Sequence, residues 1–219
     1  MQDIDGLRRV DPGYRAQKGK ISFSKTEILH IIVAILVLSA AYSILFRGSS
    51  LYPDQTTNII LIVGMSFVLV VCSFLSHEFG HKFVAQRYGA WSEFRVFPAG
   101  LLMALVSAAL GFLFAAPGAV YIRGNIDKEK NGKISIAGPG VNLVIAAISL
   151  AVFFATTSGA LVNSIFLMLA FLNAFMGLFN MIPVQPFDGS KILAWNIPAY
   201  LMAIAIGVVE LIIIWPYFF

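Results

Sequence analysis

The strongest constraint on the fold is a run of apolar residues, 59–76, that leads directly into an H-E-x-x-H motif at residues 77–81. The run contains no charged residue, and its length approaches the roughly 20 residues that a helix needs to span a bilayer. If the helix continues through the motif, both histidines project from one helix face because they stand four residues apart. The sequence therefore predicts a membrane-spanning helix that carries a candidate metal site near one end.

The residues of this motif have the chemistry of a zinc site. His77 and His81 can bind one zinc ion from one helix face, and Glu78 is placed to take a proton from a zinc-bound water. The chain has three histidines in total, so a chance match has odds on the order of one in a thousand. The alternative is a pair of histidines that only form hydrogen bonds inside a helix bundle, which the cost of ionisable groups in membranes disfavours. We predict one zinc ion per chain, with Glu78 as the catalytic base.

The composition is that of a polytopic membrane protein. Of 219 residues, 59% are hydrophobic and only 12% are charged. The net charge of +4 falls in short segments between apolar runs, which indicates membrane topology and gives no reason to expect a nucleic-acid partner. We therefore expect the lipid bilayer, and no nucleic acid, as the chain's environment.

The apolar runs predict an all-α fold with about five full transmembrane helices. We divide the chain into a polar tail, residues 1–26, and one transmembrane domain, residues 27–219, whose core is 58–196. Basic residues in the tail place the N-terminus in the cytoplasm, and Lys82 and Arg87 mark the same side after the second span. The predicted spans are 28–46, 59–87, 135–154 (with Pro139 in its first turn), 164–182 and 198–217.

A further apolar segment, residues 100–116, is predicted to be re-entrant. Alternating polar and apolar residues predict short strands at 93–98 and 118–123, and these form a small β-hairpin near the zinc site. Basic residues lie on both sides of the apolar segment, so it enters from the cytoplasm and returns there, with Gly111 as a candidate bend. A single crossing would leave the residues that follow the fourth span about 30 Å from the histidines.

A catalytic zinc usually has three protein ligands and one open position. Asp188 is the best third ligand, because it follows a span that runs inward and so reaches the depth of His77. Prolines before Asp188 interrupt the helix, and irregular backbone at membrane depth occurs where it is buried or lines a wet cavity. For Glu210, which lies inside the last predicted span, we predict a structural hydrogen bond, with a functional carboxylate as the alternative. The full set of candidates is Asp188, Glu210, His30 and Cys72.

Three motifs in this order resemble the site-2 protease family of intramembrane metalloproteases. Residues 74–81 match F-x-x-H-E-x-x-H, and residues 180–189 match N-x-x-P-x-x-P-x-D-G. Residues 137–142 resemble the A-G-P-x-x-N sequence that opens the family's middle core helix. The apolar segment 100–116 looks like an insertion into the compact core of the family.

The resemblance implies a zinc peptidase that cuts single-span membrane proteins within or beside their spans. It implies His77, His81 and Asp188 as zinc ligands, Glu78 as the base, and Asn180 as a group that binds the substrate backbone or the oxyanion. It also implies a multi-pass protein of a prokaryotic cell membrane. Two alternatives stay open from the residues alone, a zinc-binding membrane scaffold without peptidase activity and a small transporter. The strands at 93–98 and 118–123 are either an exposed edge that binds an unwound substrate or a closed hairpin that caps the site.

Overall fold

The computed structural model describes residues 20–47, 59–156 and 159–218. Most of the predicted N-terminal tail and nearly all of the loop after the first span lie outside these ranges. The strands are β1 (Trp91–Val96) and β2 (Gly118–Arg123). The helices are α1 (Lys25–Arg47), α2 (Ile59–Val70), α3 (Ser76–Arg87), α4 (Pro98–Ala109), α5 (Lys128–Ala155), α6 (Ala160–Phe179), α7 (Asp188–Trp195) and α8 (Ile197–Ile214), with a π-helical segment at Val71–Leu75 and a 3-10 turn at Trp215–Tyr217.

Five helical stretches of the described chain are long and apolar enough to cross a membrane, which confirms the predicted fold class. Their outward faces carry exposed leucine, isoleucine, valine and phenylalanine side chains, as expected of surfaces that contact lipid. The chain is therefore a multi-pass membrane protein. The five stretches are Lys25–Arg47, Ile59–Arg87, Lys128–Ala155, Leu161–Phe179 and Ile197–Tyr217.

The third span begins earlier than the sequence suggested. Helix α5 starts at Lys128, because the side chain of Asp127 caps it by accepting a hydrogen bond of 2.8 Å from the Lys130 N–H. Residues 128–134, which lie before the predicted span 135–154, are thus the first part of this helix. Pro139 accordingly lies inside α5, and the prediction that it occupies the first turn is wrong.

Strands β1 and β2 pair in antiparallel register, with Trp91 opposite Arg123 and Val96 opposite Gly118. The predicted first strand was placed two residues too late, because Pro98 begins α4, a position that suits a residue without an N–H. The segment between the strands starts and ends at the facing pair Val96 and Gly118, so it returns to where it began. Helix α4 runs away from the hairpin for 12 residues, about 18 Å. Gly111, with a φ of +89°, then turns the chain back toward the hairpin.

The edge of β1 that faces away from β2 is closed by buried side chains. The carboxylate of Glu27 accepts hydrogen bonds from the Phe94 N–H at 2.9 Å and from the Lys82 ammonium at 2.9 Å. The same ammonium donates to the carbonyl oxygen of Ser92 at 2.8 Å. Lys82 is fully buried, and its charge is paired with Glu27 inside the protein. This ion pair fastens the start of α1 to both α3 and the hairpin.

Helices α3 and α5 pack closely because glycines lie at their contact. A β-carbon on Gly80 would lie 2.7 Å from the Ala137 carbonyl oxygen. A β-carbon on Gly138 would lie 2.3 Å from the ring nitrogen Nε2 of His81. The small residues of the 137–142 motif therefore let α5 run directly against the histidine pair.

Candidate metal centre

Three side chains of the sequence motifs meet at one buried point, which we call the metal centre (His77, His81 and Asp188). The two Nε2 atoms of His77 and His81 lie 3.0 Å apart. Oδ2 of Asp188 lies 3.0 Å from Nε2 of His81 and 3.5 Å from Nε2 of His77. The prediction that the carboxylate of Asp188 lies against the two histidines is confirmed. The other candidates for a third ligand, Glu210, His30 and Cys72, lie outside this group.

Two chain segments supply these groups. Helix α3 holds both imidazoles on one face, and its register follows from the four-residue spacing of the motif. Helix α6 ends at Phe179, and an irregular stretch then leads to Asp188, the first residue of α7. A hydrogen bond of 2.7 Å from the Gly189 N–H to the Asn180 carbonyl oxygen closes that stretch. The prolines therefore break the helix and bring the carboxylate back to the histidines.

The other ring nitrogen of each histidine has a defined partner. Nδ1 of His81 lies 2.8 Å from the main-chain carbonyl oxygen of Ile134, which can only accept a hydrogen bond. Nδ1 of His77 lies 2.5 Å from Oδ1 of Asn142, whose amide nitrogen is engaged elsewhere. Both Nδ1 atoms therefore carry the proton in the neutral rings. Both Nε2 atoms direct a lone pair into the metal centre.

This arrangement fits a zinc ion. Two imidazole lone pairs and a carboxylate oxygen within 3.5 Å of one another repel unless a cation lies between them. Zinc binds such nitrogen and oxygen donors at about 2.0–2.2 Å, which puts neighbouring ligands of a tetrahedral site about 3.3–3.5 Å apart. Hydrogen bonds from the far ring nitrogen to a carbonyl or amide oxygen are also typical of metal-binding histidines. Three protein donors leave a fourth position for water.

The carboxyl of Asp188 is held in its ionised form. Burial by itself raises its pKa, but the positive charge that the imidazoles of His81 and His77 carry when they are protonated and no metal is bound outweighs this effect and keeps the pKa below its usual range. Lys191, one helical turn along α7, places its ammonium 3.4 Å from Oδ1 of Asp188. Metal ligands must be deprotonated, so this environment suits the role. The sequence analysis missed Lys191, although its i+3 spacing from Asp188 in a helix is the signal that indicates it.

Glu78 stands beside the metal centre on the same turn of α3. It is 7% exposed, and its Oε2 accepts a hydrogen bond of 3.0 Å from the main-chain N–H of Val120 in β2. The predicted hairpin is therefore next to the predicted base, and one bond connects them directly. The role of Glu78 as a base stays a prediction.

Asn180 lies at the end of α6, half-buried, on the stretch that leads to the metal centre. Its side-chain amide donates a hydrogen bond of 3.0 Å to the Met176 carbonyl oxygen. Together with its main-chain bond to Gly189, this contact ties α6 to the start of α7. The predicted role of Asn180 in binding the substrate backbone or the oxyanion stays a prediction.

Two other singled-out residues have no part in the metal centre. Nδ1 of His30 accepts a hydrogen bond of 3.3 Å from the Val96 N–H, at the closed edge of β1. Glu210 is buried in α8, and neither of its carboxyl oxygens has a hydrogen-bond partner among the described residues. The expected structural hydrogen bond of Glu210 is therefore wrong.

The chain is 36% identical over 176 residues to the Methanocaldococcus jannaschii protein named "Putative zinc metalloprotease MJ0611", which covers 80% of this chain and 86% of that protein. The chain belongs to the site-2 protease family of zinc metalloproteases. Zinc is accordingly the metal of this membrane metalloprotease, in agreement with the donors at its metal centre.

Two further relatives of this site-2 protease share shorter regions. The M. jannaschii protein named "Zinc metalloprotease MJ0392" is 30% identical over 148 residues, or 62% of this chain and 38% of that protein. A Mycobacterium tuberculosis protein named "Putative zinc metalloprotease Rip3" is 31% identical over 129 residues, or 57% of this chain and 29% of that protein. No family model matches the chain, and no solved structure matches it significantly.

Proposed function

We propose that this chain is an intramembrane peptidase that hydrolyses peptide bonds within or next to the spans of single-span membrane proteins. The observation that carries the proposal is the meeting of His77, His81 and Asp188 beside the buried carboxylate of Glu78, in a chain with five candidate membrane spans. A zinc site with an adjacent carboxylate is the arrangement that metallopeptidases use to activate water.

The proposed roles follow from the positions of the side chains. His77, His81 and Asp188 hold one zinc ion per chain, which supplies the Lewis acidity that activates water and polarises the peptide carbonyl. Glu78 accepts the proton of the attacking water and then donates it to the leaving amine. Asn180 donates a hydrogen bond to the developing oxyanion, a contribution of about 3 kcal/mol for one such donor.

A helical substrate must unwind before this chemistry, because its carbonyl groups are bonded within the helix. An exposed strand edge can replace those bonds. The outer edge of strand β1 is poorly suited to bind a substrate, because side chains of α1 and α3 already occupy it. They bond the carbonyl oxygen of Ser92 and the N–H groups of Phe94 and Val96. Of the two predicted strands, we therefore assign substrate binding to β2.

The outward groups of β2 follow from the register. Phe94 and Val120 face each other, and their N–H groups point away from the hairpin, to Glu27 and to Glu78. Alternation along an antiparallel pair then directs the N–H and carbonyl groups of Gly118 and Ile122 outward as well. A substrate strand along this edge would lie beside Glu78.

We also propose that the N-terminus is cytoplasmic and that the metal centre is reached by water from that side of a prokaryotic cell membrane. The basic residues of the N-terminal tail support this orientation. The contacts of Glu27, at the start of α1, with β1 and with Lys82 in α3 support a metal centre on the same side of the membrane as the N-terminal tail.

The purified chain, incubated with a panel of single-span membrane proteins, tests the proposal. Cleavage is expected in or beside the span of at least one substrate, with loss on zinc chelation and recovery when zinc is restored. Cleavage that a chelator leaves unchanged would contradict the zinc mechanism. Bound zinc without cleavage of any panel member would favour a zinc-binding scaffold instead.

A further inference from the structure

A chain of buried hydrogen bonds connects α6 to His77. The side chains of Asn142 in α5 and Asn173 in α6 are both fully buried. Nδ2 of Asn173 lies 2.9 Å from the main-chain carbonyl oxygen of Leu169, and Oδ1 of Asn173 lies 2.8 Å from Nδ2 of Asn142. Oδ1 of Asn142 lies 2.5 Å from Nδ1 of His77. Asn173 belongs to none of the three motifs of the sequence.

The donor and the acceptor of each of these hydrogen bonds are determined by the bond to Leu169. The carbonyl oxygen of Leu169 can only accept, so Asn173 must donate to it through its amide nitrogen. Asn173 then presents its oxygen to Asn142, which must donate in turn. Asn142 is left with its oxygen toward His77, and an oxygen can only accept from the ring. The proton of His77 is thereby held on Nδ1.

The π-helical segment supports the same orientation. Nδ2 of Asn142 also donates to the carbonyl oxygen of Ser73 at 3.1 Å. Ser73 lies in the middle of the π-helical segment Val71–Leu75, a kind of segment that is frequent at functional sites. Both amide hydrogens of Asn142 therefore have acceptors, and a flipped amide would place its oxygen against two other oxygens.

We infer that Asn173 is a positioning residue for the zinc ligand His77. It acts through Asn142, holds the His77 proton on Nδ1, and so aims the Nε2 lone pair at the metal. His81 does not depend on a side chain in this way, because its Nδ1 donates to the main-chain carbonyl oxygen of Ile134. The inference rests on the zinc site of the proposed function and extends it to a residue outside the motifs.

Zinc affinity tests the inference without any substrate. Asn173→Leu keeps the approximate volume and removes the amide, and Asn163→Leu makes the same change on the same helix, at the amide that accepts from Thr156. Competition with a zinc chelator should give Asn173→Leu a dissociation constant about 10-fold higher than wild type, the lower end of the range for losing a direct outer partner, because Asn142 keeps its bond to Ser73. Asn163→Leu should bind zinc as wild type does.

The ring protons give a second readout. In the cobalt(II)-substituted protein the Nδ1 protons of His77 and His81 should appear as two exchangeable, paramagnetically shifted NMR signals. In Asn173→Leu the His77 signal should broaden or disappear while the His81 signal stays. Unchanged zinc affinity together with two unchanged signals would overturn the inference.

Two measurements keep the test decisive if Asn173→Leu does not fold. Asn173→Ala makes a smaller change and should show the same loss of affinity and of the His77 signal. In zinc-loaded wild type, nitrogen-15 NMR should find His77 bound through Nε2, and binding through Nδ1 would overturn the inference. A chain that binds zinc as described but cuts no substrate leaves the inference standing and removes the proposed peptidase activity.

Discussion

Oε2 of Glu78 accepts a hydrogen bond of 3.0 Å from the main-chain N–H of Val120, and this contact joins the metal-binding helix to strand β2. On the opposite edge of the hairpin, the N–H of Phe94 donates to Glu27 in α1. The two-stranded hairpin is therefore held between α1 and α3 by carboxylates. The proposed base and the proposed substrate edge meet at Val120.

Val120→Pro should slow peptide cleavage while leaving the hairpin and the zinc site in place. The substitution removes the N–H that holds Glu78 and puts the ring Cδ in its place, so the carboxylate must turn away from β2. Proline is otherwise tolerated on a strand edge where the N–H points away from the ladder. A hydrogen bond to a charged group is worth about 1.5–3 kcal/mol, so kcat should fall about 10- to 100-fold. The measurement is cleavage rate together with zinc content.

Ile122→Pro is the matched control for the Glu78 contact. Its N–H also points outward from β2 by the register, but Glu78 accepts from Val120. We expect Ile122→Pro to raise KM through the lost substrate pairing, with a smaller effect on kcat. Equal losses of kcat in the two variants would contradict a specific role of the Val120 contact.

Asp188→Ala should weaken zinc binding more than about 100-fold, because the loss of even an outer hydrogen-bond partner costs about 10- to 100-fold. It removes an oxygen 3.0 Å from Nε2 of His81 and leaves two ring nitrogens to hold the metal. Chelator competition measures the effect. Glu129→Ala, which removes an exposed carboxylate from α5, is the control. Zinc bound by Asp188→Ala at wild-type affinity would count against Asp188 as a ligand.

Asn180→Ala should lower kcat about 10²- to 10³-fold and leave zinc bound, as expected for the loss of one oxyanion donor. Steady-state kinetics and metal analysis of the same preparation separate the two effects. Asn180 also donates to Met176 and accepts from Gly189 through its main chain, so a structural role is the competing explanation. Zinc loss in this variant would support that explanation.

Single cysteines at Asn125 and Asn131 should both be labelled from the cytoplasmic side. Both positions are exposed, and they follow β2, whose end lies opposite the start of β1. The background is Cys72→Ala, which removes the only native cysteine. The experiment uses membrane-impermeant reagents on sealed vesicles of known orientation. Labelling of both positions from the outside only would contradict the re-entrant topology.

The metal centre was predictable because its residues lie in short motifs with fixed spacing. The four-residue interval of His77 and His81 sets their common helix face, and the prolines before Asp188 mark the broken helix. Gly111 was predicted as the bend, and the structure places it there with a positive φ. The helical spacing, the prolines and the glycine each act on the backbone within a few residues, so the sequence alone indicates their effect.

The partners of these groups were not predictable, because they depend on contacts between distant helices. Lys82 looks like an interface residue in sequence, yet Glu27, 55 residues earlier, makes its burial possible. Asn173 is an unremarkable polar residue in an apolar span until α5 places Asn142 against it. The π-helical segment before His77 likewise has no clear signature in its apolar sequence.

The central claim is tested most directly by Glu78→Gln, with Glu129→Gln as control. Glutamine keeps the shape of the side chain and cannot accept the proton of the attacking water. We predict that Glu78→Gln binds one zinc per chain with wild-type affinity and cleaves a wild-type substrate at a rate reduced by about 10²- to 10⁴-fold. A zinc-loaded Glu78→Gln variant that cleaves the same substrate at a rate close to that of wild type would contradict the account.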